Sequence, residues 1–114
     1  MVYLDKVNPD VALIMKRSPT NIERGWEYLK LILQKTNLRD SPTEIWLNKK
    51  YHILEETQCI KSMDTRNIAG GLAYLAGIFN GEEITKNTIM QIMKPLSEDA
   101  LNEKIDDLKL WLNL

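Results

Sequence analysis

The sequence predicts an all-α protein. Three observations carry this: apolar residues recur at spacings of three and four, helix-start signals precede each such stripe, and no segment alternates with period two long enough for a strand. Residues 65–81 (TRNIAGGLAYLAGIFNG) are the most informative stretch. They are crowded with Ala and Gly, yet Ile68, Leu72, Leu75 and Phe79 keep helical spacing. A helix that is small and apolar on several sides permits close backbone approach and is expected at the centre of a bundle.

The elements follow in order. Asn8-Pro9 opens a short apolar helix over 11–15, because proline at the first helical position loses only an amide that would be unpaired anyway. Ser18-Pro19 restarts the chain, and Thr20 with Glu23 has the spacing of a capping box. Ile22, Trp26, Leu29, Ile32 and Leu33 then form one stripe running to about Thr36. Ser41-Pro42-Thr43-Glu44 is the strongest cap signal, with Glu44 expected to reach back three residues. The helix after it is expected to bury Ile45, Trp46, Leu47, Tyr51 and Leu54, leaving Lys49-Lys50 and Glu55-Glu56 solvated.

Residues 60–64 read as a linker before the small-residue helix, which Gly81 is placed to end in a left-handed conformation. Thr85 begins a short helix carrying Ile89, Ile92 and Met93, and Pro95 stops it. Ser97-Glu98-Asp99 caps a last helix whose Leu101, Ile105, Leu108 and Leu112 recur at four, three and four. The pair 85–94 and 97–114 has the proportions of a helix-turn-helix. Residues 1–17 are expected to be an N-terminal arm with a short helix, and 18–114 a single helical domain.

Composition narrows the class. The 114 residues, 44% hydrophobic and 27% charged, suit one ordered domain with its own core. No apolar run approaches the roughly 20 residues that span a bilayer, so no membrane partner is expected. The start lacks a basic-then-apolar leader pattern, and Cys59 is the single cysteine; both point to a reducing, cytoplasmic setting. A net charge of −1 argues against a dedicated nucleic-acid binder. His52 and Cys59 are too few for zinc, and Ala69-Gly70-Gly71 lacks the strand and the Gly-Lys-Ser/Thr ending of a phosphate loop. No metal, no cofactor and no enzymatic activity are expected.

The residues from about Ser18 to Leu114 resemble one cyclin repeat of the archaeal and eukaryotic transcription factor B family. The likeness is densest over 66–76 (RNIAGGLAYLA), similar to that family's Ala-rich central helix with its Tyr-[Ile/Leu]-Ala element. Gly81-Glu82-Glu83-Ile84-Thr85 is similar to the Gly-Glu-x-x-Thr before its fourth helix, and Ile105-Asp106-Asp107-Leu108 stands where the family has aromatic-Lys-Glu-Leu. The resemblance implies a cyclin-like five-helix bundle around a central small-residue helix, with a short N-terminal helix and a helix-turn-helix-like C-terminal pair. There is room for one repeat, and the paired cysteines of the family's zinc ribbon are absent.

The family reads promoter DNA through its last two helices. Leu96-Ser97 stands where the family tends to have Val-Thr. Where it favours Val-Thr-[Ile/Val]-Arg-Asn-Arg, this chain has Asp99-Ala100-Leu101-Asn102-Glu103-Lys104. One expected arginine is therefore Asn102, the other is Lys104, and Asp99 enters the helix start. Arginine reads guanine through a planar bidentate fork that neither replacement offers, and Glu98, Asp99, Glu103, Asp106 and Asp107 repel phosphates.

The resemblance thus implies a non-enzymatic protein that docks to a protein of the transcription machinery and so modulates initiation. Trp46, Trp111, Glu98, Asp99 and Glu103 are the candidate interface residues. A DNA-binding helix-turn-helix regulator is the alternative, with Lys86, Asn87, Gln91, Lys94, Asn102 and Lys104 as candidate contacts. A basic patch from Lys16-Arg17, Arg24 and Lys49-Lys50 would need the fold to gather it. A cyclin-box scaffold outside transcription, such as a kinase-binding module, is a third reading.

Overall fold

A computed structural model describes residues 7–60 and 65–114; the 61–64 part of the expected linker and the first six residues of the expected arm lie outside the described residues. Among the described residues there are six helices and no strand: α1 (Pro9–Arg17), α2 (Asn21–Lys35), α3 (Pro42–Glu56), α4 (Thr65–Asn80), α5 (Lys86–Ile92) and α6 (Glu98–Trp111). The caps explain the starts. Asn8, Thr20, Ser41, Thr85 and Ser97 each accept, through the side chain, a hydrogen bond from an amide in the first turn.

The stops use a device that sequence signals only partly display. α2, α3, α4 and α6 end with a left-handed residue, at Asn37, Gln58, Gly81 and Asn113. Beyond each, an amide donates back across the last turn: Leu38 to Leu33, Cys59 to Leu54, Glu82 to Gly77 and Leu114 to Lys109. This is the Schellman arrangement, and glycine supplies its positive φ once in four.

The small-residue helix α4 is the centre of the bundle. It packs on α2, α3, α5 and α6, most extensively on α2 and α6. Ile68, Ala69, Leu72, Ala73, Leu75 and Ala76 are all at most 1% exposed. Its glycines are where neighbours come closest. A β-carbon at Gly70 would meet Ile89 and Leu96, and one at Gly71 would meet Leu108. α1 belongs to the same core, since Val11 and Ile14 are buried within it and the Asn8 side-chain amide donates to the Ile92 carbonyl at 2.9 Å.

Three expected core residues are not core. Ile45 is 58% exposed, Phe79 53% and Ile22 38%. Each sits near a helix end or on the outer edge of its stripe, and Phe79 is covered in part by the Trp46 ring of α3; Tyr28 and Leu31 fill the α2 face instead. Trp26 is half-buried, packing edge-on against Tyr51 at 4.4 Å.

The cap at α3 also differs in detail. Ser41 accepts from the Glu44 amide, but the Glu44 carboxylate passes Ser41 and accepts from the Asp40 amide at 2.8 Å and Arg39 Nε at 3.0 Å. The Asp40 amide is the largest cause, with Arg39 adding to it, that holds this carboxyl below the usual glutamate range. A depressed folded-state pKa contributes stability above the unfolded value, and that contribution is lost as pH falls through the folded value. In urea titrations the gap between wild type and Glu44→Gln should therefore be full at neutral pH and close as pH drops below about 4.3.

Candidate functional site

The C-terminal pair is built on a pinned turn. Met93 closes α5 with its amide on the Ile89 carbonyl, and Ser97 opens α6 by accepting from the Ala100 amide. Between them lies the cis Lys94–Pro95 peptide bond. Two distant side chains hold this segment: Asn8 on the Ile92 carbonyl, and Arg66 Nη1 on the Lys94 carbonyl at 3.3 Å. A groove of about 830 Å³ opens beside it, with Val7, Met90 and Leu96 as apolar lining and Gln91 and Lys94 as polar lining.

The six candidate DNA contacts separate into two groups. Asn87, Gln91 and Lys94 are exposed, at spacings of four and three along α5 and the residue past its end. Lys86 is half-buried and places its ammonium 5.3 Å from the Tyr74 ring centre. The two on α6 are withdrawn. Lys104 is 8% exposed, with Nζ 3.5 Å from an Asp107 carboxylate oxygen and 5.3 Å from the centre of the Trp111 ring. Asn102 is half-buried and its Oδ1 is enclosed without a hydrogen-bond partner among the described residues. These are the positions where the resemblance set its arginines. The α6 register turns them toward the bundle, because they flank the buried Leu101, Ile105 and Leu108.

What α6 shows to solvent is different. Glu98, Asp99, Glu103 and Asp106 are exposed. Asp99, Glu103, Asp106 and Leu110 recur at four, three and four, so they form one outward stripe. Leu110 is 79% exposed, the most of any large hydrophobic residue described. Sequence reasoning passed over it, although it falls in register with the acids and out of register with Leu101, Ile105, Leu108 and Leu112.

The two candidate tryptophans have different surroundings. Trp46 is half-buried, stacked on Phe79 with ring centres 5.6 Å apart and planes 14° apart, and Lys50 lies 5.6 Å from its ring. Trp111 is half-buried beneath Lys104. Arg17 of the suggested basic patch is paired with Glu27 at 3.0 Å, and Arg24 is held by the Ser18 carbonyl and Asn21. His52 meets Glu56 at 2.8 Å, and the Cys59 thiol lies by Thr57. No group of three His, Cys, Asp or Glu side chains among the described residues is placed to hold a metal ion. No helix among them is long and apolar enough to cross a membrane.

Fold and surface together define an all-α bundle whose last helix carries an acidic stripe ending in an exposed leucine. Comparison with protein-family models, with curated proteins and with solved structures finds no match.

Proposed function

We propose that this chain is a non-enzymatic, transcription-associated protein resembling a single cyclin repeat of transcription factor B, which docks to a protein of the transcription machinery through α6. One observation carries the choice over promoter reading. Lys104, the one cation at an expected arginine position, is 8% exposed and engaged by Asp107 and Trp111, while carboxylates occupy the outward stripe. A helix of that sign raises the cost of approaching a phosphate backbone and favours a basic protein surface. Leu110 supplies the apolar contact that an electrostatic encounter needs to become a lasting complex.

The exposed Asn87, Gln91 and Lys94 keep a second reading, a DNA-binding helix-turn-helix acting through α5. The deciding experiment is binding to a promoter duplex, with and without the matching TATA-binding protein, at low and moderate salt. The docking reading expects no specific duplex binding in either format. Specific, salt-sensitive binding that is reduced by Lys94→Glu would replace it with the second.

A further inference from the structure

Away from α6, the helices α3 and α4 leave a second apolar surface uncovered. Trp46, near the start of α3, stacks on Phe79 in the last turn of α4 with ring centres 5.6 Å apart. Phe79, Ile78 beside it and Ile53 are all exposed. Lys49 and Lys50 follow Trp46 by three and four positions and precede Ile53 by four and three, so these four share one face of α3. Single exposed apolar residues are ordinary, but a contiguous group marks an interaction surface.

The surface is also cationic. Lys50 places its ammonium 5.6 Å from the centre of the Trp46 ring, and Lys49 is exposed. The carboxylates of α3 are directed elsewhere: Glu44 binds Arg39 and the Asp40 amide, and Glu56 meets His52. Glu55 is two past Ile53 and so falls on the opposite side of the helix. Beyond α4 the Glu82 carbonyl folds back over Gly77, on the far side of that helix from Phe79. Trp46 precedes Glu56 by about 15 Å of helix, so the surface is remote from the α3–α4 connection.

Its complement lies on the same chain. The outward stripe of α6 offers Asp99, Glu103 and Asp106 and then the exposed Leu110. Those carboxylates suit Lys49 and Lys50, and Leu110 suits the Trp46–Phe79 stack. Pairing like with like is opposed, because either face set against its own copy brings charges of one sign together.

We propose that the α6 stripe of one copy docks on the Trp46–Phe79 face of a second copy. The contact is heterologous, so a free stripe and a free face remain at the ends and the copies can add into chains. It rests on the reading of α6 as a docking surface, and it makes a second copy the competitor of the transcription partner. The handful of side chains on each side is small beside the roughly 20–30 residues of a standard interface, so the association is weak and concentration-dependent.

The test is sedimentation velocity of the full chain from about 1 μM to about 1 mM, at low and moderate salt. The average mass should rise with concentration, and less steeply at moderate salt. Leu110→Asp removes the stripe's apolar end and Phe79→Asp spoils the face, so each variant alone should stay monomeric. Mixed in equal amounts they should reach about twice the monomer mass and no more, since each keeps the surface that the other lacks. Lys49→Glu with Lys50→Glu should repeat the Phe79→Asp behaviour, and replaces it should that variant unfold. A monomeric wild type, a monomeric mixture, or a Leu110→Asp variant that still self-associates would overturn the proposal. A monomeric wild type leaves the docking reading standing, because the duplex experiment decides that separately.

Discussion

Gly25→Ala should destabilise this protein by about 2 kcal/mol, although alanine is the better helix former. The substitution gains about 1 kcal/mol of helix propensity. Against that, the new β-carbon would stand 1.9 Å from Tyr51 Oη and 2.6 Å from Cζ. The ring cannot swing aside cheaply. Tyr51 is fully buried, its hydroxyl donates to the Ile22 carbonyl at 2.8 Å, and its ring meets Trp26 edge-on. Overpacking costs about 1–3 kcal/mol, and losing a buried hydrogen bond adds about 1–3 kcal/mol. The measurement is the urea midpoint at unchanged slope. In a Tyr51→Phe background the nearest clashing atom is gone, so the cost of Gly25→Ala should shrink by about 1 kcal/mol. Stabilisation by Gly25→Ala would mean α2 and α3 do not approach as described.

Leu72→Ala should cost about 3 kcal/mol, within the range of 2–5 for buried leucines. Leu72 is fully buried on the helix that every longer helix packs against. Its neighbours Ala69, Ala73 and Ala76 are too small to fill the space it leaves, so the cavity persists. Leu110→Ala is the matched contrast. At 79% exposure it should change stability by less than about 0.5 kcal/mol. The same change should weaken docking if the α6 stripe is the contact surface. A large stability loss from Leu110→Ala would place that side chain in the core and remove it from the proposed surface.

The α6 region shows why its fold was easier to read than its surface. The four-three-four run of Leu101, Ile105, Leu108 and Leu112 identifies the helix and its inner face, because burial of regularly spaced apolar groups is a local pattern. The fate of Lys104 is not local. It depends on Asp107 and Trp111 arriving over it and on how deeply α6 settles against Gly71. Likewise, Phe79 has the spacing of a core residue, but it lies in the last turn of α4 with its ring half exposed and stacked on Trp46.

The amino-acid order by itself determined the helical class, the caps at Asn8, Thr20, Ser41, Thr85 and Ser97, and the central role of the small-residue helix. These follow from interactions within a few residues or from side-chain size. Tertiary structure decided which stripe members are covered, which charges are paired, and which side chains meet across helices. Those outcomes turn on crossing angles and helix overhang, which arise only when the whole bundle packs.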